Sequence, residues 1–199
     1  TYEGEGIGGA AFGKAAKHLS EDDLNNGIIT DAVGAIYLME KGIDIGLNSI
    51  PEKKTLNTEM FGNGIFFKTY SYKDCRYALD VSEKAIIDSY YLEHERKYWN
   101  QADDMEKYPA AYRYENEKGQ RFYVMALDIE LALKDVLKES FRAYAKAEQV
   151  MNACEWVSRK TLPVKCYKYP DLYVMFKENE TSVAVGLWNL SKDKIKVML

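Results

Sequence analysis

The chain has 199 residues, 47% hydrophobic and 29% charged, with a formal net charge of -4. That suffices for one large domain or two small ones around a buried core, and acids and bases are too interspersed to form a nucleic-acid face. No apolar run approaches the ~20 residues of a membrane-spanning helix, and no Lys/Arg-rich amphipathic helix suggests a membrane surface.

Residues 1 to 19, "TYEGEGIGGAAFGKAAKHL", lack the basic start and continuous apolar stretch of a signal peptide. The chain begins at Thr1 rather than Met, which suggests a piece of a longer polypeptide. "GIGGAAFGK" lacks the spacing of a phosphate-binding loop, and no apolar strand precedes it, so a tightly turning entry segment is expected. Ser20, followed by acidic residues through Asp23, reads as a helix N-cap and first turn, which Asn26-Gly27 ends. "GIIT" is a brief strand. Asp31 caps a second helix with Ala32, Ile36 and Met39 on one face, and Lys41-Gly42 closes it. Ile43, Ile45 and Leu47 then alternate as an exit segment would.

Gly punctuation and β-branched and aromatic residues give residues 51 to 82 the character of strands and turns. Residues 83 to 109 are polar and Tyr-rich, and fit either a surface helix or an excursion between strands. "YRYEN" and "RFYVMALDI" are strands joined by the turn "NEKG". A long helix is expected from Ser140 to Ser158, with Ala143, Ala147, Val150, Cys154 and Val157 on one face. "PVKCYKY", "LYVMFKENE", "SVAVGLWNLS" and "KIKVML" read as closing strands, with "ENE" as a turn.

This order predicts an α/β fold: an α/β domain over 1-160 with a β-rich excursion near 51-110, and a small antiparallel β module over 161-199.

Chemistry is sparse. Cys75, Cys154 and Cys166 form no CxxC pair and read as free thiols in a reducing compartment, so a cytoplasmic setting is expected. His18 and His94 belong to no Cys/His pattern, so no zinc site is expected. There is no nucleophile elbow. Glu115 and Asp128 are one conceivable acid/base pair among many carboxylates, and Asp103, Asp104 and Glu106 lack the spacing of a calcium loop. No catalytic, cofactor-binding or metal-binding residue is therefore assigned. Aromatics remain. Trp99 and Trp188 are the candidate carbohydrate-stacking residues, while Trp156 borders an apolar helix face. Core packing is favoured over stacking at Trp188, because both faces of "VAVGLWNL" are mostly apolar and suit a strand covered on both sides.

The segments "DAVGAIYLMEKGI", "YENEKGQRFYVM", "WVSRKTLPV" and "VAVGLWNLSKD", in this order, resemble the C-terminal, non-catalytic region of bacterial glycoside hydrolases of the β-galactosidase type, family 42 and its relatives. The resemblance implies that 1-160 is a partial amidotransferase-like (flavodoxin-like) α/β layer involved in oligomer contacts, and that 161-199 is a small antiparallel β-sandwich module. An upstream barrel would carry the catalytic carboxylates. The implied function is an accessory or oligomerisation region of a carbohydrate-active enzyme. Its implied partners are the upstream catalytic domain or further copies of the chain, with carbohydrate a candidate ligand and neither nucleic acid nor membrane. Two alternatives stand beside it: a carbohydrate-binding module, and a free-standing protein of amidotransferase-like fold.

Overall fold

The computed structural model describes residues 9–56, 58–62, 64, 66–68, 75–95, 104–134, 144–166, 172–192 and 194–196. Its centre is a mixed sheet of seven strands with helices against both faces. The described residues start with β1 (Gly9–Ala10) and a 3-10 helix (Gly13–His18), so this part of the Gly-rich segment includes a short strand parallel to β2 rather than a turn alone. α1 (Glu21–Asn25) carries a full capping box between Ser20 and Asp23, as its sequence predicts. β2 (Ile28–Asp31) is buried throughout and runs into α2 (Ala32–Glu40), which Asp31 caps through the Gly34 amide.

The buried stripe of α2 is Ala32, Ala35 and Leu38, with Ile36 and Met39 only partly covered. This corrects the expected face. The helix is apolar almost all round, so spacing offers more than one stripe, and the small side chains win the place where the helix lies closest to the sheet. Gly42, at φ 76°, ends it in the left-handed region, as expected.

The next strands are β3 (Glu52–Lys53), β4 (Thr58–Phe61), β5 (Phe66–Lys68), β6 (Tyr77–Ala78), β7 (Ile86–Glu95), β8 (Asp104–Glu115) and β9 (Arg121–Met125). The order across the main sheet is β1-β2-β9-β8-β7-β4-β5, and β3 and β6 pair separately. β1, β2 and β9 are mutually parallel, and all pairs from β9 outward to β5 are antiparallel. Residues 86–95 and 104–115 thus form long neighbouring strands of the central sheet, and neither surface helix nor excursion describes them. Polar residues misled because the outer part of this hairpin carries its charges on an open sheet surface. Lys54 pairs there with Glu93 at 2.5 Å and with Glu106 at 3.7 Å. The β8–β9 turn lies at "NEKG" as predicted, with Gly119 at φ 77°.

α3 (Ile129–Lys134) follows β9, and α4 (Tyr144–Ser158) covers the sheet face opposite α2. Alternation along β2 serves both layers: Ile28 joins the core under α2 and Ile29 the core under α4. The buried positions of α4 are Ala145, Lys146, Gln149, Ala153 and Val157. Of the expected face only Val157 is buried: Ala147, Val150 and Cys154 are half-buried and Ala143 lies outside the described residues, so the inward stripe sits about one residue earlier and includes two polar residues. The chain closes with β10 (Leu172–Glu178) and β11 (Val183–Asn189), an antiparallel two-stranded sheet of its own. Residues 163–166 are not strand. The fold is thus a mixed α/β architecture with small antiparallel sheets. Among the described residues, no helix is long and apolar enough to cross a membrane.

Candidate functional site

Trp188 lies on β11, directly opposite Tyr173 on β10. Both are largely exposed, at 63% and 54%. The expected core packing of Trp188 is not met: its side chain stands largely in solvent. Directly opposed residues in an antiparallel pair point to the same side, so Tyr173 and Trp188 share one face with Met175, Lys177, Ala184 and Gly186. Met175 folds toward Gly186, where a Cβ would lie 3.0 Å from its Cε. The other face carries Leu172, Val174, Phe176, Val183, Val185 and Leu187; Val174 and Phe176 are half-buried, whereas Val183, Val185 and Leu187 are exposed. Leu172 alone in the hairpin is buried.

The ends of the hairpin are set by two Asn side chains. Asn179 Oδ1 accepts from the Thr181 and Ser182 amides at 3.0 and 2.9 Å. Asn189 Oδ1 accepts from the Ser191 amide at 2.9 Å, so Asn189 serves the turn expected of it. Trp99, the other stacking candidate, lies outside the described residues.

A second feature was invisible in the sequence. α4 and the sheet enclose an open cleft of about 780 Å³, lined in part by Asp88, Arg113, Arg121, Gln149, Trp156 and Arg159. The Arg121 guanidinium lies 4.0 Å from the Trp156 ring centre, and Arg113 approaches the same ring at 5.7 Å. Each arginine is matched to a carboxylate. Arg113 donates to Asp88 at 3.0 Å, Arg121 to Glu115 at 2.7 Å and Arg159 to Glu115 at 3.2 Å. Arg121 also donates to the Trp156 carbonyl at 2.9 Å, and Arg159 to the Gly119 carbonyl at 2.7 Å. Arg159 itself ends α4 at φ 57°, a left-handed position that Gly usually fills. These pairs tie the end of α4 to the β8–β9 turn. They form a fixed charge lattice rather than an anion trap, and Trp156, already covered by Arg121, is poorly placed to stack on a sugar.

Beneath the cleft lies a buried polar network. Lys146 Nζ donates to Glu59 Oε1 at 2.8 Å and to Gln149 Oε1 at 2.6 Å. Ser89 Oγ donates to Glu59 at 2.8 Å and accepts from Gln149 Nε2 at 2.8 Å. All four residues are buried. Their side chains meet from β4, β7 and α4, a juxtaposition that no local pattern encodes. Nearby, the Tyr123 hydroxyl is buried without a well-formed hydrogen bond. Burial first, then the Asp88 and Glu59 carboxylates, raise its pKa well above the ordinary phenol value.

Glu115 and Asp128 do not come together. Glu115 ends β8 beside the start of β9, whereas Asp128 follows the far end of β9 and caps α3 through the Leu131 amide. Arg121 holds the Glu115 carboxyl below its ordinary value, the opposite of what a general acid needs. Burial raises the Cys154 thiol, away from thiolate reactivity. His18 is exposed at the end of the 3-10 helix, and the His94 side chain lies outside the description. Among the described residues no group of three or more His, Cys, Asp and Glu could hold a metal ion.

Compared with models of known protein families, with curated proteins and with solved structures, the chain matches none.

Proposed function

We propose that this chain is a non-catalytic association region of a larger carbohydrate-active enzyme, with the β10–β11 hairpin as its docking element. One observation carries the reading: Tyr173, Met175, Val183, Val185, Leu187, Trp188 and Leu190 are all exposed on or beside a two-stranded sheet. An isolated hairpin is marginally stable in water and needs further strands or a covering layer, and an exposed apolar surface of this kind marks an interaction site. The enzyme context comes from the resemblance of the quoted segments to the β-galactosidase-type hydrolases. The amidotransferase-like layer and the closing β-sandwich belong to that same proposal, with the parallel strands β1, β2 and β9 as the layer and β10–β11 as the start of the sandwich. An antibody raised to the chain tests the context on extract of the source organism. A band several times larger than 22.9 kDa is expected, and a band at 22.9 kDa overturns it.

The opposition of Tyr173 and Trp188 favours one second reading, a flat aromatic platform for a glycan. Calorimetric titration with β-linked oligosaccharides tests it: binding that Trp188→Ala removes supports it, and the absence of heat contradicts it.

A further inference from the structure

The cleft beside α4 follows the helix along its length. Ala145, Gln149, Asn152 and Trp156 recur every three or four residues and so share one flank, with Glu148 beside them. Phe61 from β4, Asp88 from β7 and Arg113 from β8 belong to the facing wall. At about 780 Å³ the cleft falls within the size range of small-molecule sites, roughly 300–1,000 Å³.

Its charges are matched unevenly. Arg113 is held by Asp88, and Arg121 and Arg159 are held by Glu115. Glu155 is held by Lys165 at 2.6 Å, and Lys160 is engaged as well. Glu148 is the exception. It is half-buried on the cleft flank of α4 and, among the described residues, has neither an ion pair nor a hydrogen bond. Asn152, one turn further along the same flank, is exposed and likewise has no hydrogen-bond partner among the described residues. A carboxylate drawn partly out of water is stabilised by an opposite charge brought to it. The lining therefore presents a carboxylate to a cation, with an amide one turn away that can accept or donate. One carboxylate and one amide are too few oxygen donors for a divalent metal, which takes about six or more, and among the described residues no group fit to hold a metal ion occurs.

The neighbouring core shows how this part of the fold holds an ammonium group. Lys146, two residues before Glu148, donates to Glu59 and Gln149 and stands 5.1 Å from the Phe61 ring centre. Glu148 presents a further carboxylate on the side of α4 that opens to solvent.

We propose that the cleft binds a small organic ammonium compound, with Glu148 as its counter-ion and Asn152 bonding an adjacent hydroxyl or amino group. An amino sugar with a free amine and an aliphatic polyamine both carry that chemistry. Anionic ligands find every arginine of the lining already paired, and neutral sugars leave Glu148 without an opposite charge. The proposal is independent of the association reading, because the β10–β11 hairpin takes no part in the cleft.

Calorimetric titration of the full chain with glucosamine, spermidine and N-acetylglucosamine tests it. At least one of the two amines is expected to bind, and which one binds identifies the source of the ammonium group. N-acetylglucosamine, with the same ring and no charge, is expected to give no heat. Glu148→Gln keeps the shape of the side chain and removes its charge, and it is expected to weaken amine binding roughly tenfold. Asn152→Ala, at an exposed position, is expected to weaken it severalfold. Glu180→Gln makes the same charge change in the hairpin turn, away from the cleft, and is expected to leave the affinity unchanged. Equal urea midpoints show that the variants are folded. Amines that give no heat at millimolar concentration overturn the proposal, and so does amine binding that Glu148→Gln leaves intact.

Discussion

Asp31 has three backbone amides on one carboxylate. Its Oδ1 accepts from Gly13 and Gly34, each at 2.8 Å, and its Oδ2 from Ile129 at 3.1 Å. It thereby joins the segments that follow β1, β2 and β9, the C-terminal ends of the three parallel strands. Asp31→Asn keeps Oδ1 but turns an NH2 toward the Ile129 amide, so two donors face each other. A loss of about 1–3 kcal/mol in urea unfolding is expected. Tyr123 predicts the opposite sign: its buried hydroxyl lacks a good partner, so Tyr123→Phe is expected to leave the urea midpoint unchanged or raise it by up to about 1 kcal/mol. Glu115 belongs to the pH dependence. Arg121 places its folded pKa below the ordinary 4.5, so its contribution is complete above that pH and is lost as pH falls through the folded value. Glu115 is partly exposed, so the contribution is under about 1 kcal/mol. Urea midpoints between pH 3 and 6 should fall less steeply for Glu115→Gln than for the parent chain; equal slopes would contradict this assignment.

At the scale of elements, the energetic weight lies where α4 meets the sheet. Lys146 and Glu59 form a buried ion pair across that junction. Losing one partner strands the other charge in a buried site, so Lys146→Met is expected to cost about 3–5 kcal/mol, while Glu59→Gln combined with Lys146→Met recovers most of it. A double-mutant cycle in urea checks this, and additive losses would contradict it. At the other end of α4, Gly27 has φ 84°, and a Cβ there would meet the Val157 carbonyl oxygen at 2.2 Å. Gly27→Ala is therefore expected to lose roughly 2–5 kcal/mol from strain and overpacking.

These elements also separate what the sequence encodes locally from what it does not. Ser20 with Asp23, Asp31 with Gly34, and Gly42 and Gly119 all act within a few residues, and the caps and turns they signal are present. The hairpin positions of "LYVMFKENE" and "SVAVGLWNLS" follow from alternation and a turn, again local signals. The stripe of α4 could not be read, because Lys146 and Gln149 are buried only by virtue of Glu59 and Ser89, far away in the chain. β7 was hidden for a similar reason: its charges face the ion pairs of Lys54 and Arg113 rather than a solvated helix face. Trp188 stands out in the sequence, but its exposure depends on what the rest of the chain leaves uncovered. The Arg113, Arg121 and Trp156 cluster needs three elements to exist at all.

The whole molecule divides its apolar surface unequally. Two well-filled layers enclose the sheet, with Phe122, Tyr112 and Val124 in one and Tyr123, Met125 and Ala153 in the other. Among the described residues, the closing hairpin has no such layer over Tyr173, Met175, Val183 and Trp188. Its stability is therefore expected to come from association, whereas that of β2 and β9 comes from within the chain. Hydrogen exchange of the full chain at low and high protein concentration separates the two. The account predicts that Val183–Asn189 amides on the outer edge of β11 exchange fast in dilute solution and slow markedly as concentration rises, while Ile28–Asp31 and Arg121–Met125 stay equally protected throughout. Protection of β11 that does not change with concentration would contradict the claim that association between chains covers this hairpin.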